Sequence, residues 1–325
     1  MKFLQLASLF GAALAVPAAD LDARQTCTTP KLRKDWAKAT TAEKTAYLNA
    51  AVCVTKKPSR LGLVNATVQD DFAYTHAILY NQIHNFAAFL PWHRYYVMVY
   101  EKALRDCGYT GTAMYWNWVN DWAAPSKAAV WHNVTGFGGN GVETNPNDIR
   151  KRVIDGPFKN WRPQFWHSSV QPHALSRDWS TAQNGDPELR GAFYSPTAMV
   201  PVNAKTVFDE FRAALEDGPH AAVHGGVGAA DDNRGLGDMG FNNASPSDPL
   251  FFLHHTQVDR LWWLWQQQNP SARTMEYNGN SPSLPDGSNG PPVSLNDKLP
   301  MGGLAAEGVV RDYMDVKSAK LCYKY

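Results

Sequence analysis

Absences narrow the possibilities first. Beyond its opening residues the chain has no apolar run long and uncharged enough to cross a bilayer, so no membrane span is expected. Lysine and arginine number 31 and acidic residues 30, neither gathered in a block, giving a net charge of +1. Nothing here invites nucleic acid or another polyanion, and no such partner is expected. There are only four cysteines, Cys27, Cys53, Cys107 and Cys322, and none lies close in sequence to the histidine clusters described below. A thiolate metal site is therefore disfavoured. There is no repeat of fixed period, and no HExxH pattern of the metalloproteases.

The opening residues read as a secretory signal over 1–19. Lys2 supplies the positive end, Phe3 to Val16 is too short to span, and Ala13-Leu14-Ala15 is an A-x-A cleavage site. A single domain over 20–325 is expected, in a secreted, extracellular protein. An even cysteine count in such a protein implies two disulfides, with three possible pairings. The pairing adopted joins Cys27 to Cys322, clasping the two ends, and Cys53 to Cys107. Sequons at Asn65, Asn133 and Asn243 are candidate glycosylation sites, the third weakened by the Pro246 that follows it.

What the chain does have is helical periodicity around histidines. An amphipathic helix is expected over 40–55, then another from Gln69 to Ile83 with Phe72, His76, Leu79 and Ile83 at spacings of three and four. Pro91 opens a third that runs to about Cys107 and stops at Gly108. Residues 123–202, rich in Gly, Pro, Asn and Trp, read as long ordered loops with short strands. Asn203 to Glu216 is helical, and a short piece carrying His220 and His224 follows. Residues 225–240 read as a glycine-rich loop. A thick apolar helix then starts at Asp248-Pro249 and meets no breaker before Pro270.

Of the ten histidines, His76, His84 and His93 fall in the first helix pair. His220, His224, His254 and His255 fall in the second. His132, His167 and His173 read as loop or surface histidines. His220 and His224, at i and i+4, share one helix face. An antiparallel helix pair brings His76, His84 and His93 together. Imidazoles inside so apolar a helix as that of His254 and His255 are costly unless they are hydrogen-bonded or bound to a metal. Two all-imidazole sets without thiolate suit copper or zinc, and zinc hydrolases more often include a carboxylate. A mainly α fold is expected: an antiparallel four-helix bundle holding two copper ions, with long ordered loops and few short strands.

Three stretches carry a resemblance: HNFAAFLPWHR (84–94), PHAAVH (219–224) and SDPLFFLHHTQVDRLW (247–262). They resemble the copper motifs of the tyrosinase and catechol oxidase family in order and spacing. MYWNW (114–118) is similar to that family's YWDW segment, with Asn117 in place of Asp. The likeness spans roughly Gln69 to Gln268, and the chain resembles the short secreted fungal members, which implies that it has no shielding C-terminal domain. It implies that His76, His84 and His93 bind one copper and His220, His224 and His255 the other, with His254 a structural neighbour. Asp259, one turn beyond His255, is placed to orient that ring or a neighbouring one.

Departures from the family pattern also speak. Gln82 stands where many members have the cysteine of a thioether, so none is expected. Glu216 matches a family glutamate that holds a water near the second copper and serves as a base; on sequence alone it reads equally well as a solvated helix-end charge. Ala221 replaces the asparagine common in monophenol hydroxylases. Gly225, after His224, is expected to leave the pocket mouth open. The resemblance therefore implies an oxidase of small o-diphenols that uses O2. A tyrosinase with monophenol hydroxylase or o-aminophenol oxidase activity, an O2 carrier like hemocyanin, and a zinc hydrolase are the alternatives.

Overall fold

The protein is described here by a computed structural model covering residues 27–182, 185–228, 237–240, 243–283 and 290–325. The expected leader, 1–19, lies outside the described residues. The fold is mainly α, with a four-helix bundle and only short strands. Six helices position the site: α1 (Thr41–Val54), α2 (Val68–Ile83), α3 (Phe89–Arg105), α4 (Phe208–Leu215), α5 (Ala221–Gly228) and α6 (Leu250–Gln268).

Local chemistry sets their ends. Thr40 with Glu43, and Thr67 with Asp70, form reciprocal capping boxes at the starts of α1 and α2. α3 begins at Phe89, two residues before the expected Pro91. Pro91 is accommodated because the first helical N–H groups need no intrahelical partner. Asp248 accepts from the Leu250 N–H at the start of α6, 3.0 Å away, as an Asp-Pro start predicts.

Two expectations over 203–240 are corrected. The expected helix from Asn203 is instead a short helix, Pro196–Asn203, a break, and then α4. Val207 is extended, and the Phe208 N–H at the restart is taken by Glu276, which competes with continuing the helix. Nor do the glycines after His224 begin a loop. Gly225, Gly226 and Gly228 are helical, in α5. Gly226 lies against Leu189: an added Cβ would sit 2.2 Å from that residue's carbonyl oxygen. These glycines permit close backbone packing.

α3 packs along α6, where Tyr100 and Phe252 stack with ring centroids 3.4 Å apart. Trp36, Trp92, Trp116, Trp118, Trp262 and Trp265 are fully buried around this pair. The strands are two-residue ladders, antiparallel at 141–142 with 152–153, 165–166 with 169–170 and 298–299 with 308–309. Lys31–Leu32 pairs in parallel with Tyr323–Lys324, next to the Cys27–Cys322 disulfide. That bridge and Cys53–Cys107 are the two expected from sequence. Among the described residues, no helix is long and apolar enough to cross a membrane.

Candidate metal centre

The bundle gathers the histidines into two buried groups. His76 comes from the middle of α2, His84 from its end and His93 from α3. Their ring centroids are 4.9 Å (His76–His84), 5.1 Å (His84–His93) and 5.6 Å (His76–His93) apart. The second group is His220, His224, His254 and His255. His220 sits in the wide turn Glu216–His220 between α4 and α5, where Pro219 interrupts regular helix. The other three lie on α5 and α6.

Backbone carbonyls orient five of the rings. The Nδ1 atoms of His76, His84, His93, His220 and His224 bond to the carbonyls of Asn243, Tyr80, Phe89, Glu216 and Met239, at 2.6, 3.1, 2.8, 2.9 and 2.8 Å. A carbonyl only accepts, so Nδ1 carries the proton and Nε2 keeps its lone pair. The Nε2 atoms of His76, His93 and His220 are buried with no protein partner. The Nε2 of His224 faces that of His255 at 3.3 Å. Burial, aided by neighbouring imidazoles, holds all seven rings below their usual range; His76 falls to about 3 and His224, on burial alone, to about 4. Neutral imidazoles with lone pairs aimed into a shared space are what a metal requires. The donor set, all nitrogen, fits copper or zinc.

His255 stacks between Phe251, with centroids 4.0 Å apart, and His93 of the other group, at 4.4 Å. His254 stacks on His220 with centroids 5.2 Å apart and lies 4.7 Å from His224 and 6.2 Å from Trp118. Neither of its ring nitrogens has a partner. His254, expected as a structural neighbour of the ligands, is a buried member of the second group with both ring nitrogens unsatisfied.

Asp259 is also corrected, because it orients no histidine. Its carboxylate takes bonds from Arg94 and from Arg33, the latter at 3.0 Å, and from the phenols of Tyr323 and Tyr325. Burial works against its charge, but the two guanidinium groups outweigh this and hold the pKa below the usual range. Its acceptor positions are spent on tying α3 and α6 to both ends of the described chain. Asp248, at the other end of α6, is likewise paired with buried Arg177, at 2.7 Å.

Glu216 is only 4% exposed, so it is no solvated helix end. It accepts from the Asn85 N–H at 2.8 Å and from Arg212 at 2.9 Å. Burial lifts its pKa to about 7, against the opposing pull of Asn85 and Arg212. It opens, with Ala221, on a cavity of about 180 Å³ at the histidine groups. Gly225 is buried in α5 and does not line that cavity, which corrects its expected place at the mouth.

Further placements differ from sequence expectation or bear on it. His173 is buried rather than superficial, bonded to Asp238 at 2.9 Å. His132 and His167 are exposed, as expected, and so is Gln82. Asn65 and Asn133 are exposed. Asn243 is not: it is partly buried, its carbonyl holds His76, and Ser245 of its sequon is buried. It is set aside as a glycosylation site. Arg212 was not singled out from sequence, although its i−4 spacing to Glu216 could have indicated it. Nothing local could have indicated the Met239 and Asn243 carbonyls.

The common central domain of tyrosinase matches residues 66–268. The chain belongs to the tyrosinase family. Tyrosinase ustQ of Aspergillus flavus is 36% identical over 302 residues, covering 92% of this chain and 80% of its own. Tyrosinase-like protein phomQ2 of Diaporthe leptostromiformis is 36% identical over 303 residues, covering 92% and 74%. A polyphenol oxidase variant from Thermothelomyces thermophila superposes with a TM-score of 0.74 at 26% identity, covering 94% of this chain and 92% of its own. An octopus hemocyanin functional unit shares the fold at a TM-score of 0.55 and 18% identity, covering 91% and 68%. Membership in the tyrosinase family places the chain among oxidases and implies a centre of two copper ions, and the two histidine groups are clusters that could hold metal.

Proposed function

We propose that the protein oxidises o-diphenols to o-quinones, two catechols being consumed for each O2 reduced to two waters, at a centre of two copper ions. The observation that carries this reading is the pair of facing histidine groups with inward, unpartnered Nε2 atoms. His76, His84 and His93 would hold one ion, and His220, His224 and His255 the other. His255 is preferred to His254 because its Nε2 faces that of His224 and its ring faces His93. Copper, when bound, supplies the electron transfer between catechol and O2.

The chain supplies the rest. Carbonyls fix five of the six ligand rings before any ligand arrives, and stacking between Phe251 and His93 holds His255. Phe89, Phe251 and Trp92 surround the rings with apolar surface that excludes water. Glu216 is positioned by Asn85 and Arg212 to accept the proton that a catechol hydroxyl gives up. Ala221 leaves no side-chain amide beside Glu216, which favours diphenol oxidation over monophenol hydroxylation. We also propose secretion, supported by the two disulfides, with Asn65 and Asn133 as glycan sites.

The test is oxygen uptake by the copper-loaded protein on catechol, tyrosine and 2-aminophenol. Catechol is expected to be the best substrate. Equal, unprimed turnover of tyrosine would replace this reading with a true tyrosinase. Reversible O2 binding without catechol turnover would replace it with a carrier.

A further inference from the structure

The mouth of the cavity has a one-sided charge. Among the described residues lining it are two carboxylates, Glu216 and Asp217, and no lysine or arginine. Glu216 is buried and paired with Arg212, so its field is largely offset. Asp217 is exposed, and no hydrogen bond or ion pair ties it to another described residue. Tyr80, partly buried, presents an aromatic ring to the same opening. The whole chain carries a net charge of only +1, so long-range steering is weak and local groups decide which charged ligand is favoured at the mouth.

A phenol that places its hydroxyl end at the histidines must direct its ring substituent outward, past Asp217 and Tyr80. A cationic substituent gains an uncompensated carboxylate and an aromatic face. A carboxylate on the same arm meets a like charge, with no lysine or arginine among the described lining residues to offset it. We propose that the site selects phenols bearing a short cationic arm, with Asp217 as the residue that distinguishes them from their anionic counterparts. The inference rests on the reading of the site as a phenol oxidase and specifies its substrate class.

The probes are dopamine and 3,4-dihydroxyphenylpropionate, compared by kcat/KM with the copper-loaded protein. The ratio of amine to acid is expected to fall roughly threefold to tenfold in Asp217→Asn, the scale of one exposed charge pair lost and one repulsion relieved. Comparing the ratio between proteins cancels the intrinsic reactivities of the two catechols. Asp217→Glu is expected to keep most of the preference, and salt is expected to erode it in the unsubstituted protein. An unchanged ratio in Asp217→Asn overturns the proposal while leaving the oxidase reading intact.

A second readout needs no turnover. Ligand-observed NMR on the metal-free protein is expected to show stronger saturation transfer to 2-phenylethylamine than to 3-phenylpropionate, and Asp217→Asn to equalise them. If no catechol is oxidised, the oxidase reading falls by itself, and equal binding of the two ligands would overturn the charge selection independently.

Discussion

His255 stacks on His93 with ring centroids 4.4 Å apart and planes 15° from parallel. One ring belongs to the α3 group and the other to the α6 group. This contact makes the two histidine sets a single site, and it rests on the packing of α3 against α6.

The contact also separates His255 from its neighbour. His255→Ala is expected to reduce bound copper from about two ions per chain to about one and to abolish catechol oxidation. His254→Ala is expected to retain both ions, with affinity weakened by about 10- to 100-fold at most. Metal analysis after dialysis checks this, and the opposite pattern would reverse the assignment.

Asp259 is a joint between helices and chain ends. Asp259→Ala strands Arg94 as a buried cation without an ion-pair partner, leaves Arg33 with Glu101 alone, and is expected to cost about 3–5 kcal/mol. Denaturant unfolding of the metal-free protein measures it. A loss of copper affinity without that loss of stability would return Asp259 to the histidines.

Glu216→Gln keeps an acceptor for the Asn85 N–H but removes the base. kcat for catechol is expected to fall by roughly 100- to 10,000-fold with copper content unchanged. Full activity in this variant would assign proton removal to another group.

The two disulfides differ in reach. Cys27–Cys322 spans 295 residues and Cys53–Cys107 spans 54. On the chain-entropy account, removing the longer link costs about 1.5 kcal/mol more than removing the shorter. Unfolding of the two paired Cys→Ala variants ranks them.

His173 gives stability a pH dependence. Burial lowers its pKa, but Asp238 more than offsets this, and the folded value stands above the ordinary one. The pair therefore stabilises fully below about pH 6.5, and that contribution is lost as pH rises through the raised pKa. The unfolding midpoint of the unsubstituted protein, minus that of His173→Gln, is expected to fall over this window. A flat difference would mean that the pair is not ionic.

Much of the site was legible because its signals are local. Helical spacing placed His220 with His224, and Phe72, His76 and Ile83 on one helix. Asp248-Pro249 marked the start of α6. The cysteine count permitted the observed pairing without requiring it. The glycines after His224 misled because glycine favours loops only when nothing else calls for its small size. Leu189 does so here, by pressing its carbonyl against Gly226.

By itself the sequence determined which residues have metal-binding chemistry and which of them share a helix face, since both follow from side-chain type and a repeat of 3.6 residues. Only the tertiary structure decided their partners. It turned Asp259 away from the histidines toward Arg33 and Arg94, left His254 unsatisfied, buried Glu216 beside Arg212, and brought His93 onto His255. The physical reason is that burial leaves each polar group to the partners that packing brings within reach, and those partners come from distant parts of the chain.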